Sequence, residues 1–464
     1  MNLIKKIKKE VEEMKKFFVL ALALLLAVPA ISYAGSVTSR WDVTIGGYIK
    51  FDLGWMSQGQ GIDYRTASRE SSAAMDNLAD EYDNLNWFAG ESRFSFAIKG
   101  PDAWSAKTSA FLEGDFRGVA GSNGFATVPG TTLSRGGTSY FTLRHAFMTF
   151  AWPKTQILMG HTWQPWGLLP SFNILAFSEN HFMKGATRVP QIRITQNFTK
   201  EFSMQFAVAA TNQTLWGVQA GNYVDDTNRS DFPDTSLEFV YRTDRCGKIG
   251  PWMLQFGLGG LYGQERVTYG DLTTNKLGDD RIDRWGASFW GYIPIIPEKK
   301  GNKTNALGFT WNVFAGQGLG SFLPAYPANP YIKPSGLSAA NFGGWGGPSF
   351  SAAGLTDIDA AYPTTVGGWA QATFYFADNW FTNVLWGYET NNLSKAYRLA
   401  NINAVKNLQN FIINLMYDPN PAIRLALEYT RITTSYARAS GAQWTGGKSK
   451  GSLDAVRFGA YYFF

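Results

Sequence analysis

Five basic residues, Lys50, Arg93, Arg144, Arg193 and Arg457, stand near the middle of five separate segments whose side chains alternate between two rows, and each falls on the more polar row. Four acids, Asp52, Glu91, Glu113 and Asp115, are expected on the same side nearby. Fixed charges on stiff extended backbone can do one kind of work without moving: in a narrow, low-dielectric passage they raise the local concentration of solutes of opposite sign. Arg457, Lys50 and Arg93 lie on segments that become neighbours if the chain closes on itself, so a positive wall that attracts anions is expected. The competing arrangement is cancellation. Arg93 and Arg144 flank the segment that carries Glu113 and Asp115, and opposite charges facing each other across a sheet pair off.

Covalent and redox chemistry have little to work with. The chain holds three histidines, His145, His161 and His181. By alternation His145 falls on the apolar row with Leu143 and Phe147, a poor place for a general base, which needs a polar partner to orient it. His161 is accompanied by neither a GxSxG turn nor a metal-spaced pair. Cys246 is the single cysteine, so no intrachain disulfide can form and the Cys/His spacings of haem attachment or structural zinc are missing. The sequence therefore predicts no enzyme, no cofactor and no metal.

The elements that position the charges have a period of two. From Trp41 the odd positions read Trp41, Val43, Ile45, Gly47, Ile49, Phe51, Leu53 and Trp55, and the even ones Asp42, Thr44, Gly46, Tyr48, Lys50 and Asp52. The pattern recurs and predicts sixteen strands, near 42–56, 87–100, 106–117, 140–151, 156–165, 188–198, 203–211, 234–242, 252–264, 281–293, 306–316, 367–376, 381–390, 406–417, 423–434 and 452–464. Connections alternate in length. Those at 101–105, 152–155, 199–202, 243–251, 377–380 and 418–422 are tight, and 294–305 is a little longer; those at 57–86, 118–139, 166–187, 212–233 and 317–366 are long. Short turns at one end, long loops at the other and an even strand count describe an all-β fold, a transmembrane antiparallel β-barrel of 16 strands. Each strand then needs about 9–11 residues and alternates between lipid and lumen. A soluble β-sandwich also alternates. It does not leave aromatic residues beside the short turns in strand after strand, as Trp152, Phe198, Tyr241, Trp252, Phe376, Trp380, Tyr417 and Phe464 do here, and these read as a membrane-boundary girdle.

The two ends agree with that class. From Met14, itself an alternative start, "MKKFFVLALALLLAVPAISYA" has a basic start, an apolar middle, and Ser32 and Ala34 at the small-residue positions ahead of Gly35. Residues 1–34 are read as a cleaved export signal and 35–464 as the barrel. The apolar run Phe17–Ala30 is broken by Pro29 and is short for a span of roughly 20 residues. The signal holds six of the lysines and three of the glutamates, so the formal charge of +6 falls to +3 without it, too little to argue for nucleic acid. At the other end, "SLDAVRFGAYYFF", Val456, Phe458, Ala460, Tyr462 and Phe464 make one apolar row turned to lipid. Asp454 and Arg457 are read as the mixed row, with Arg457 in the lumen.

Two connections stand out. "WGLLPSFNILAFSENHFMKGATR", 166–188, is the third long connection and is apolar for a segment in water, so it is expected to fold into the barrel mouth, with Glu179, His181, Lys184 and Arg188 at a constriction. The alternative is that Leu168, Leu169 and Phe172 contact a neighbouring subunit. The longest, 317–366, is rich in Gly, Ala and Pro and reads as a flexible external loop. Small residues on an outward row, Ala106, Thr108, Ala110 and Gly114, would let barrels approach closely.

Several segments, in order, resemble one family, the DcaP-like outer-membrane porins: "GGYIKFDLGW" (46–55), "SRFSFAIKG" (92–100), "FLEGDF" (111–116), "LRHAFMTF" (143–150), "LMGHTWQPW" (158–166), "PQIRITQNF" (190–198) and "FPDTSLEFVYR" (232–242). The likeness is densest over 46–242. Two features depart from it: the first strand begins within about eight residues of the expected cut, where family members often carry a coiled coil, and His161 stands where glutamine is expected. The resemblance implies a homotrimeric pore for passive diffusion of small anionic solutes such as dicarboxylates. It also implies outer-membrane lipid and lipopolysaccharide as surroundings, and a terminal aromatic residue similar to the signal read by the barrel-assembly machinery. A barrel that does not conduct, serving as a sheath or adhesin for a partner protein, is the other reading; an electron-conduit sheath needs a wider ring than sixteen strands.

Overall fold

Extended segments leave unpaired N–H and C=O groups at each edge, and closing the sheet into a cylinder removes the edges. The computed structural model describes residues 41–59, 66–73, 76–119, 139–167, 171–175, 188–210, 232–271, 276–319, 331–333, 359–400, 404–437 and 448–464, and its main sheet closes in this way. In chain order the strands are β1 (Asp42–Met56), β2 (Asn84–Phe88), β3 (Arg93–Lys99), β4 (Lys107–Val119), β5 (Ser139–Ala151), β6 (Thr155–Trp163), β7 (Arg188–Asn197), β8 (Phe202–Ala209), β9 (Asp234–Ile249), β10 (Trp252–Asp271), β11 (Lys276–Ile296), β12 (Leu307–Gln317), β13 (Tyr331–Lys333), β14 (Asp359–Ala361), β15 (Thr364–Ala377), β16 (Trp380–Asn392), β17 (Val405–Asn420), β18 (Ile423–Tyr436) and β19 (Lys450–Phe463). Each barrel strand pairs antiparallel with its neighbours. β19 returns to β1 in the register Lys50 to Tyr461 and Gly54 to Arg457. β2 and β3 both pair with β1, at Asp52–Met56 and Asp42–Tyr48 respectively, so they share one place in the ring and the barrel has sixteen.

Alternation sets the two faces. On β1, Ile49, Phe51 and Trp55 are exposed on the outer surface while Lys50, Asp52 and Met56 are buried inside. On β19, Val456, Phe458, Tyr462 and Phe464 are exposed and Arg457 is buried. Asp454 belongs to the outer row, not to the row of Arg457, and there it accepts hydrogen bonds from Tyr429 and Arg431 of β18. Of the girdle residues, Phe198, Tyr241, Phe376, Trp380 and Phe464 are exposed, and Trp380 stacks on Tyr417. Trp252 departs from that set. A register shift between Met253 and Leu254 accompanies its packing against Phe172 and Tyr292, within the lumen.

Three further differences from the sequence reading have local causes. The strand expected at 87–100 is interrupted at 89–92, where a Cβ on Gly90 would meet Phe88 and the Phe116 carbonyl. β10 and β11 pair as far as Asp271 and Lys276, so this hairpin runs well beyond the predicted strand ends. The connection 317–366 holds a two-stranded sheet, β13 with β14. Two short helices, α1 (Leu78–Glu81) and α2 (Lys395–Ala400), lie in other long connections, α1 capped by the Asn77 side chain accepting from the Ala79 N–H. On the outer row of β4, Ala106 is buried and Gly114 lies beneath the Phe141 ring, so the small-residue row is partly roofed by the chain itself.

Candidate functional site

The third long connection lines the inside of the barrel where it is described. It leaves β6 through Trp166, which is fully buried and rests on Gly259 and Gly286, two inward glycines whose Cβ atoms would collide with or crowd the indole. Leu261, Phe314 and Leu319 close around the ring. The Gly167 N–H donates to Glu238 Oε1 and its carbonyl accepts from Asn312. Residues 171–175 then run around the inner wall as a belt. Phe172 packs on Trp252 of β10 and Tyr292 of β11 and exchanges two main-chain hydrogen bonds with the Gln371 amide of β15. The Asn173 carbonyl accepts from Asn383 of β16 and Asn414 of β17, and its side chain accepts from Arg424 of β18. Ile174 joins a buried apolar cluster with Trp369, Leu385, Leu408, Ile412, Ile432 and Leu453. Phe172 therefore serves the barrel interior; Leu168 and Leu169 lie outside the described residues.

The belt ends in a charged clamp. The Leu175 N–H donates to Glu428 Oε2 at 2.7 Å, and its carbonyl accepts from Lys50 Nζ and Arg457 Nη1, both at 3.0 Å. Lys50 also pairs with Asp52 and with Glu91, which the break between β2 and β3 delivers to it. The Leu175 side chain packs on Gly459. Lys50, Asp52, Glu91, Glu428 and Arg457 are all at most 3% exposed. The expected positive wall across β19, β1 and β3 is thus not bare: beneath the belt Lys50 is paired with Asp52 and Glu91 and Arg457 is bound to the Leu175 carbonyl, because cationic groups removed from water need counter-charges or acceptors. Removing one partner from such a group typically costs about 3–5 kcal/mol.

On the wall from β3 to β9, which the third connection reaches through Gly167 and Glu238, inward charges pair with one another. Arg144 donates to Glu113 at 2.9 Å and to Asp115 at 2.6 Å, and Arg93 approaches Glu113 at 3.9 Å, so cross-strand pairing is what these charges do. A β-bulge between Glu113 and Gly114 opposite His145 and Leu143 makes Arg144 the extra residue, and it turns both Arg144 and His145 inward. His145, expected on the apolar outer row, instead bonds Thr162 Oγ1 through Nδ1 at 2.9 Å and lies 3.9 Å from Glu113. Alternation carried across the bulge misassigns it. Arg193 faces inward from β7, half-buried opposite Leu158 and Ala207, and makes no ion pair with a described residue. Arg188, at the start of β7, sits 4.3 Å over the Trp163 ring. Glu179, His181 and Lys184 lie outside the described residues.

Several inward charges escaped the sequence reading: Glu428, which holds Leu175; Glu238, which accepts from Trp290 and Gly167; and Arg284 paired with Asp234. The alternation that gave Arg457 also gives Glu428 and Glu238 their side. Their partners come from remote segments and had no signal. Among the described residues no group of three or more His, Cys, Asp or Glu is placed to hold a metal ion.

No protein-family model and no curated protein matches the chain. Solved structures do. The outer membrane channel DcaP of Acinetobacter baumannii aligns with a TM-score of 0.63 at 16% identity, covering 93% of this chain and 99% of that one. The anion-selective porin from Comamonas acidovorans aligns at 0.51 and 12%, covering 92% and 100%, and OprB of Pseudomonas putida at 0.51 and 10%, covering 91% and 94%. At these identities the likeness is one of fold: the chain folds as a closed sixteen-stranded antiparallel barrel, similar to these outer-membrane channels.

Proposed function

We propose that the protein is an outer-membrane porin, exported by residues 1–34, through which small hydrophilic solutes diffuse passively. The observation that carries this reading is the lopsided interior. Residues 171–175 are bound along the wall from β10 to β1, and the wall from β3 to β9 keeps inward charges that are not wholly buried, among them Arg93 and Arg193. Water and solute then pass between the belt and the wall from β3 to β9. Anions such as dicarboxylates are the favoured solutes, since Arg193 makes no ion pair with a described residue, Glu238 reaching it only as a nearby charge, and acts in a confined, low-dielectric space. The anion selectivity named for the Comamonas porin is consistent with this fold carrying such a preference. A homotrimer set in lipid and lipopolysaccharide, assembled by the barrel-assembly machinery, completes the reading.

Purified protein added to a planar bilayer tests it. Stepwise ion currents are expected, and their absence would favour the sheath or adhesin. With salt unequal on the two sides, the reversal potential is expected on the anion-selective side, and Arg193→Gln is expected to lower the anion-to-cation permeability ratio by about two- to fivefold, the effect of roughly one kcal/mol or less of lost attraction.

A further inference from the structure

Of the inward cations described above, Lys50, Arg144, Arg284, Arg424 and Arg457 are held by acids or by the belt, and Arg93 leans on Glu113. Arg242 differs from all of them. Its partner in the ladder with β10 is Gln255, which is buried on the inner face beside Tyr292, so Arg242 points inward too, yet it is exposed and makes no ion pair with a described residue. It lies six residues along β9 from Ser236, the residue that continues the row of Arg193 and Ala207, a separation of roughly 20 Å at 3.3 Å per residue. That places it at the short-turn mouth of the same wall.

Two of the nearby acids, Glu201 and Glu298, are engaged elsewhere. Glu201, whose carbonyl accepts the Arg242 N–H, has its carboxylate 3.5 Å from Arg245. Glu298 accepts from the Gly250 N–H, and its own N–H donates to the Lys248 carbonyl, welding the turn after β9 to the turn after β11. Asp244 sits in the stretch 244–247 that loops out where the ladder steps from Thr243 to Lys248. Lys200 and Lys248 are exposed on the neighbouring turns and add positive charge.

We propose that Arg242 is a second cationic station, distinct from Arg193, that selects anions at the short-turn mouth of the lumen. This rests on the porin reading. Anions drawn to Arg193 are handed along the wall of β7–β9 to a guanidinium that no described acid pairs with before they leave, and cations meet a second barrier there. Arg242 acts by its charge on passing ions, so a change in barrel stability alone would not reproduce its effect.

The test is the reversal potential of Arg242→Gln and Arg242→Glu channels in planar bilayers under a salt gradient. Near 0.1 M salt, where charges act over about 10 Å, the anion-to-cation permeability ratio is expected to fall by about two- to fivefold in Arg242→Gln and further in Arg242→Glu. The difference is expected to vanish near 1 M, where the range shrinks to about 3 Å. Unchanged ratios in conducting variants overturn the second station and leave the porin reading standing; a wild-type protein that passes no current overturns both. A measurement on the assembled channel guards against misfolded charge variants. Arg242→Cys in a Cys246→Ser background is expected to react faster with a sulfonate-bearing methanethiosulfonate than with its ammonium counterpart, and each modification to change the current. Equal, slow reaction without effect on current overturns the proposal.

Discussion

The wall of β15–β19 and the wall of β3–β9 share one backbone geometry and differ in what lies against them. The first presents amides and aliphatic side chains, Gln371, Asn383, Asn414, Leu385 and Ile412, all at most 3% exposed because the belt gives each amide a main-chain partner or each apolar group a cover. The second presents arginines on short side-chain ladders, with small residues such as Ala207 between them. An amide wall can bind a peptide segment at every step, since each amide both donates and accepts. The second wall mixes guanidinium groups, which offer donors alone, with the carboxylates of Glu113 and Asp115 that pair with them. Inside a barrel of this size, the choice of inward residue decides which part of the wall binds the third connection.

That comparison can be broken in stages. Lys50→Met is expected to have the largest effect, because it leaves Asp52 and Glu91 buried without their ammonium group and removes one of two donors to the Leu175 carbonyl. A loss of about 3–5 kcal/mol is expected. It would appear as a lower temperature for losing the folded-barrel band in heat-modifiability gels and, in surviving channels, as a higher and noisier single-channel conductance. Gly459→Val is milder: the new side chain enters the space of Leu175, an overpacking worth about 1–3 kcal/mol, and the belt is expected to lift locally and raise conductance with little change in ion selectivity. Arg431→Gln marks the floor. Its pair with Asp454 lies on the outer row and is partly exposed, so about 0.2–1 kcal/mol of stability and no change in conductance are expected.

What the sequence made legible follows from range. A period of two is local, so it located all sixteen strand positions and put Lys50, Asp52, Glu113, Asp115, Arg144, Arg193 and Arg457 inside. It failed at places where the count slips by one: the bulge at Arg144 turned His145 inward, and the register shift after Met253 accompanied Trp252 into the lumen. The apolar stretch after β6 announced that it needed cover. Nothing local could say that Trp166 would rest on glycines some ninety and one hundred and twenty residues away, or that Leu175 would be gripped from β18, β19 and β1. Pairing partners were equally hidden, and so a row of cations that alternation shows as a positive wall is in part a set of buried ion pairs.

The difference between the two walls can be measured with one residue type on each. Gln205 of β8 is half-buried and faces the lumen between Thr195 and Glu238 on the wall from β3 to β9, and Gln371 of β15 is fully buried under Phe172. In a Cys246→Ser background, Gln205→Cys and Gln371→Cys channels in a bilayer would be exposed to a water-soluble sulfonate thiol reagent while current is recorded. The account predicts prompt block at position 205 and no reaction at 371; prompt reaction at 371 with none at 205 would contradict it.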